Sequence, residues 1–210
     1  MAAGAGGAAK PGAPPRPQPI GKPRLLIGEG REEVFFFEAL LRHLNRDDIA
    51  VEQYGGKANL RRYLRTVARS PDFPLLRSLG VTRDADDDPA GAMQSVTGAL
   101  SAAGLTTTQA SPGPLAVRVF ILPAPGQPGM LEDLCWEAVL GDRAAPCVDE
   151  FLACVKRAGR EPQPLAKAQI HAWLASKERP DLRLGEAAGQ GYWPFDHGAF
   201  DAISAFIRSL

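Results

Sequence analysis

Leu79-Gly80-Val81-Thr82-Arg83-Asp84-Ala85-Asp86-Asp87-Asp88 is the stretch on which the reading of the fold turns. Its apolar beginning is short enough to be a buried strand. The acids that follow stand where open α/β sheets hold their ligands, just beyond the carboxyl end of a strand. Asp84 and Asp86 are two residues apart, so on an extended backbone both side chains leave from the same face. Two such carboxylates suit a hard divalent cation. Asp87 and Asp88 read as the cap region of a following helix, with Pro89 at its first position.

Working outward, Leu25-Leu26-Ile27 is a brief strand ended by Gly28-Glu29-Gly30. Glu32, Glu33, Val34, Phe36, Phe37, Leu40, Leu41 and Leu44 then give a helix with an acidic start. Ile49 to Tyr54 reads as a second strand closed by Gly55-Gly56, and a second helix follows from about Ala58 to Arg69. A third strand lies within Phe73 to Arg83, and a third helix runs from Pro89 to Ala103, with Gly104 as its C-cap. Thr106 to Pro114 is a loop, and Leu115 to Leu122 is the clearest strand. This alternation predicts an α/β fold with a four-stranded, mainly parallel sheet flanked by helices over residues 24–124. Met130 to Leu140, Cys147 to Ala158, Leu165 to Lys177 and the Phe200–Leu210 stripe predict a helical C-terminal extension over 125–210. Residues 1–23, rich in Ala, Gly and Pro, are expected to be a disordered tail.

The 210 residues are 45% hydrophobic with a formal net charge of zero, which describes a soluble globular protein able to bury a real core. No global basic field exists, so any contact with nucleic acid needs a local basic patch. Three cysteines without a CxxC pair argue against a zinc site and for buried, reduced thiols in a cytoplasmic setting. No apolar run reaches the roughly 18 residues of a membrane span, and no signal-peptide core is present, so neither secretion nor a membrane partner is expected.

In a parallel sheet all carboxyl ends share one edge, so Glu29, Asp84 and Asp86 should converge there. Mg²⁺ or Mn²⁺ would be the expected cofactor, because such ions take oxygen ligands from one or two carboxylates plus substrate phosphate. Lys57, Arg61, Arg65 and Arg69 recur every four residues with no acid among them. Like charges so spaced cost a few tenths of a kcal/mol per pair, which a bound polyanion would relieve. The stripe is therefore a phosphate-binding candidate, and equally a solvated helix face. Glu33, one turn after Glu29, and Glu132 with Asp133, which open a helix after Pro128-Gly129, are either further metal ligands or acids favoured by the helix dipole. His43, His171 and His197 are too scattered for a triad or metal argument.

Gly28-Glu29-Gly30, Gly55-Gly56-Lys57 and Asp84-Ala85-Asp86, each after a strand, resemble the Toprim domain shared by topoisomerases, bacterial primases, small RNA-maturing nucleases and OLD-type nucleases, over about Arg24 to Leu122. Glu29-Gly30-x-x-Glu33 is similar to the OLD-type pattern, in which the second glutamate adds a metal ligand. The whole chain, including Pro128-Gly129-Met130-Leu131-Glu132-Asp133-Leu134 and Gly191-Tyr192-Trp193, resembles an uncharacterised Toprim-related family of unknown function. The resemblance implies a metal-dependent nuclease acting on DNA or RNA, with Glu29, Asp84 and Asp86 catalytic. It further implies a second metal near Glu132 and Asp133, and a transition-state lysine such as Lys167. The chain lacks the P-loop of full OLD proteins, the zinc-ribbon cysteines of primases and a separate domain bearing a transesterifying tyrosine. The alternative is a non-catalytic module that binds a nucleotide, a phosphorylated ligand, a protein partner or a second copy through its helical extension. An exposed patch at Tyr192-Trp193-Pro194-Phe195 would mark that surface.

Overall fold

The computed structural model describes residues 15–107 and 115–210, so most of the tail expected over 1–23 and of the loop expected over Thr106–Pro114 lies outside the described residues. The chain is an α/β protein whose four strands form one all-parallel sheet in the order β2-β1-β3-β4. The elements are β1 (Arg24–Gly28), α1 (Arg31–His43), β2 (Ile49–Gln53), α2 (Leu60–Ala68), β3 (Ser78–Asp84), α3 (Pro89–Ala102) and β4 (Ala116–Leu122). Five further helices follow: α4 (Leu131–Val139), α5 (Ala145–Arg157), α6 (Leu165–Ala175), α7 (Leu184–Gly189) and α8 (Asp201–Ser209).

Strands buried on both faces read as continuous apolar runs, and that is why β1 is Leu-Leu-Ile with no polar alternation. Its Leu25 and Ile27 enter a core built with Tyr63, Leu64 and Val67 of α2 and Val96 and Leu100 of α3. Leu26, from the other face, enters the core of α1 and the C-terminal helices. Helix α1 is therefore sandwiched, with its Phe36, Phe37 and Leu40 completely inaccessible between the sheet and α4–α8. The second helix begins two residues later than expected because Lys57–Asn59 forms a 3₁₀ turn first. The third strand also starts later, at Ser78, because Phe73–Leu75 is a 3₁₀ turn around Pro74. Asp88 caps α3 by accepting from the Gly91 N–H at 2.8 Å, with Pro89 in the first turn, as the sequence implied.

Two expectations change. Tyr192–Phe195 is no surface patch. Trp193 is buried, stacks on Trp173 at 5.0 Å and donates its indole N–H to the Leu184 carbonyl, while Phe195 packs edge-on against Phe36 and Phe200. The aromatic stripe of α1 needs apolar partners, and this segment supplies them. Of the cysteines only Cys135 is buried, since Cys147 and Cys154 share the outer side of α5. Among the described residues no helix is long and apolar enough to cross a membrane.

Helices α1 and α7 approach closely. Glu32 accepts the Gly185 N–H at 2.9 Å, and a Cβ on Gly185 would stand 2.5 Å from the Glu32 carbonyl oxygen, which is backbone and cannot swing aside. Gly185→Ala should lower stability by about 1–3 kcal/mol, as overpacking does. A urea titration in which its midpoint equals that of the wild type would refute this account of the α1–α7 contact.

Candidate functional site

The strand order places a topological switch between β1 and β3. The chain leaves β1 into α1 on one face of the sheet and leaves β3 into α3 on the other. A crevice forms at such a point beyond the carboxyl ends of the strands. Glu29 follows β1, Asp84 ends β3, and the two straddle it.

The edge is built by short-range links between strand ends. Gly55 and Gly56 have φ of +76° and +95°, a turn that favours glycine, and both N–H groups donate to the Glu29 carbonyl at 3.0 Å. Tyr54 donates its buried hydroxyl to the Thr82 carbonyl at 3.1 Å, tying β2 to β3 across β1. Glu33, only 6% exposed, folds back from the first turn of α1. Its Oε1 accepts the Glu29 N–H at 3.0 Å, and its Oε2 lies 3.1 Å from the Thr82 hydroxyl. That hydroxyl is also 3.2 Å from the Ile27 carbonyl and has one hydrogen to give. It gives that hydrogen to Glu33 Oε2 or to the Ile27 carbonyl. Burial first, and then the charge of Asp84, push the Glu33 carboxyl well above the usual carboxylate range. Gly28 is needed because a Cβ there would sit 2.7 Å from Glu33 Oε2.

Asp84 faces α4. Its Oδ1 accepts the Leu131 N–H at 3.0 Å at that helix's start. Burial, then the charge of Glu132, push its carboxyl up to about 7, against the pull of the Leu131 N–H, and Glu29 and Asp86 push the same way. Glu132 is raised by burial although Lys167 Nζ stands 3.8 Å from its Oε1. Glu29 is raised by burial and by Asp86, and lowered by Lys57, Arg83 and Lys167; its Oε2 is buried with no hydrogen-bond partner. Glu29, Glu33, Asp84, Asp86, Glu132, Lys57 and Lys167 are therefore gathered within electrostatic reach of one another. Asp133 closes the α4 turn by accepting the Met130 N–H at 2.8 Å. Arg61, Arg65 and Arg69 are not among these acids; the first two lie along α2, which leads away from Lys57, and Arg69 is its C-cap.

Asp86 departs from the extended geometry expected of it. Its φ is +52°, and its backbone pairs with Gly129 as an isolated antiparallel bridge. Beyond the last residue of β3 the chain turns, so Asp86 does not share a strand face with Asp84, and its carboxylate instead pairs with Lys57. Among the described residues no group of three or more His, Cys, Asp or Glu side chains is, as it stands, arranged to hold a metal ion. The carboxylates are engaged elsewhere: Asp86 by Lys57, Asp84 by the Leu131 N–H, Glu33 by Glu29 and Thr82. The donor chemistry nonetheless suits a hard cation. All donors are oxygen, the acids repel one another, and the buried Glu29 Oε2 is unsatisfied.

Several participants escaped the sequence reading. Thr82 could have been found, because strand alternation puts it on the same face as Asp84. Arg83, beside Glu29, lay within the quoted run. Tyr54 and His171, the latter near Glu132, carried no local signal.

The family described as "Protein of unknown function (DUF3226)" matches residues 23–210. Among curated proteins none matches significantly. Among solved structures, the C-terminal region of the OLD protein of Xanthomonas campestris pv. campestris is similar in its iodine-, platinum- and mercury-phased forms. Identities are 16%, 12% and 12%, and TM-scores 0.39, 0.36 and 0.37. The alignments cover 91%, 90% and 91% of this chain and 87%, 84% and 87% of that one.

Two outcomes follow from the geometry. Gly28→Ala should displace Glu33 and cost about 1–3 kcal/mol in chemical denaturation; an unchanged midpoint would contradict the contact. The folded pKa of Asp84 is raised, so its contribution to stability is complete below about pH 4 and is lost as pH rises through about 7. Asp84→Asn, which keeps an acceptor for Leu131, should match the wild type in melting temperature near pH 4. It should melt several degrees higher at pH 8 without divalent cations. A difference that does not grow with pH would show that Asp84 is not strained by burial.

Proposed function

The chain belongs to this family of proteins of unknown function, and from the acidic crevice its fold creates we propose that it is a divalent-cation-dependent phosphodiesterase of nucleic acid, built on a Toprim-like domain. The observation that carries the reading is the set of carboxylates at the switch point, where Glu29, Asp84 and Glu132 are each raised by burial, Asp84 further by the charges of Glu132 and Glu29, and Glu29 Oε2 finds no partner. A site that holds several acids at such cost is one tuned for chemistry or for a cation.

Asp84 and Glu29 would hold Mg²⁺ or Mn²⁺, with Asp86 and Glu132 beside them. Bound there, the ion supplies Lewis-acid polarisation of a phosphoryl oxygen. The chain's own groups do the rest. Glu29, its carboxyl raised by burial and its Oε2 unengaged, would serve either as a ligand of that ion or as the base that takes a proton from an attacking water. Lys57 and Lys167 bring positive charge to the rim, where phosphate oxygens gain negative charge. Leu131 and Glu33 orient Asp84 and the Glu29 backbone and need not touch substrate.

The test is cleavage of single- and double-stranded DNA and RNA with Mg²⁺ or Mn²⁺, comparing the wild type with the Asp84→Ala/Asp86→Ala double variant. The wild type should cut at least one substrate, and the variant should lose at least 100-fold in rate. The melting temperature of the wild type at pH 8 should also rise with Mn²⁺, and that rise should vanish in Asp84→Asn. Equal rates from both proteins, or no product from either with Mn²⁺ present, would sink the reading.

A further inference from the structure

Residues 15–23 form a strap along the outer edge of β2, running opposite to it. The Lys22 ammonium donates to the Ile49 carbonyl at 3.2 Å, and the Gln18 N–H donates to Glu52 Oε2 at 3.1 Å. At the far end Pro15 rests directly on Gly55, where a Cβ would collide with its ring, and Ile20 packs into the α2–α3 core. The strap is thus held at both ends. Between it and α2 lies a cleft of about 700 Å³, with Pro17 and Pro19 on one side and Arg62, Arg65 and Arg69 on the other.

These three arginines are three and four residues apart, so they share one side of α2. Arg61, part of the stripe read from the sequence, is not among the residues that line the cleft, whereas Arg62 is. All three are exposed, and among the described residues none forms an ion pair with a carboxylate. One acid, Asp72, reaches the end of the cleft, which keeps a positive excess in a protein whose net charge is zero. Helix α2 has nine residues and is about 13 Å long, room for about three phosphates. Its first turn adjoins Lys57, which pairs with Asp86 at the acidic crevice.

We propose that this cleft binds the backbone of single-stranded nucleic acid and leads it toward the crevice. Charge complementarity selects a polyanion. The second wall selects a single strand, because a cleft of small-molecule size does not admit a duplex. Among the described residues no aromatic side chain lines it, so the grip is on phosphates and indifferent to sequence. The inference rests on the phosphodiesterase reading for its purpose, and the measurement separates the two.

Fluorescence anisotropy of labelled dT12 is followed in EDTA at several salt concentrations, where no cation-dependent cleavage occurs. The wild type should bind, with a log–log salt slope near −2 for about three phosphate contacts. Arg65→Gln/Arg69→Gln should weaken binding at least tenfold and reduce the slope by about 1.4. Arg61→Gln should stay within twofold. Pro17→Gly/Pro19→Gly should weaken binding several-fold by loosening the wall. Absence of dT12 binding at 50 mM salt, equal affinity in the Arg65/Arg69 variant, a 12-base-pair duplex bound as tightly, or full competition by equimolar inorganic phosphate would each overturn the proposal. If dT12 binds as described while no substrate is cleaved, the cleft stands and the phosphodiesterase falls. Cleavage with no dT12 binding gives the reverse.

Discussion

One buried carboxylate holds the functional edge together. Glu33 leaves the first turn of α1, fills the space above Gly28, and reaches both the backbone of Glu29 and the hydroxyl of Thr82. A charged carboxylate in that place would cost several kcal/mol, and a neutral, doubly bonded one costs far less. Buried there and held by these two hydrogen bonds, Glu33 fixes the geometry of the edge before any ligand arrives. Its reach joins the end of β1, the start of α1 and the end of β3 at the point where the helices diverge to opposite faces. Glu29, whose N–H Glu33 holds and whose carbonyl the Gly55–Gly56 turn holds, keeps little backbone freedom.

The acids then divide by what surrounds them. Glu33 and Asp133 satisfy backbone groups nearby, Asp84 serves a helix start yet stays coupled to Glu132, and Asp86 is matched by Lys57. Glu29 alone keeps an unsatisfied buried oxygen. The same sheet edge therefore holds structural and reactive carboxylates a few residues apart, and only their hydrogen-bond partners tell them apart. Behind them, the two-sided burial of α1 joins the sheet to the C-terminal helices through Phe36, Phe195 and Phe200, leaving that side of the crevice little freedom to open.

Much of this was legible in the chain. Strand and helix alternation, Asp88 as a cap and Gly104 just beyond α3 all rest on local signals, and each appears where those signals put it. So did the convergence of Glu29 with Asp84, which needs only parallel strands. What could not be read depended on distant partners. Asp86 turns out of the strand because Gly129 pairs with it, and nothing near Asp86 announces that bridge. The aromatic segment at Tyr192–Phe195 looked like a surface because its partner, the phenylalanine stripe of α1, is far away in sequence. The arginine stripe was visible as a periodicity, yet which of Arg61 and Arg62 meets the cleft depends on where the strap lies.

The left-handed backbone at Asp86 also filters inheritance. At φ +52° a β-branched or bulky side chain is strained, while Asp, Asn and Gly are tolerated. Asp codons lie one base change from those of both Asn and Gly, so the changes that spare the backbone at this position are also among the most accessible by mutation. Either change erases the charge that Lys57 meets while sparing the backbone, which makes this turn the place where negative charge at the crevice is most readily lost.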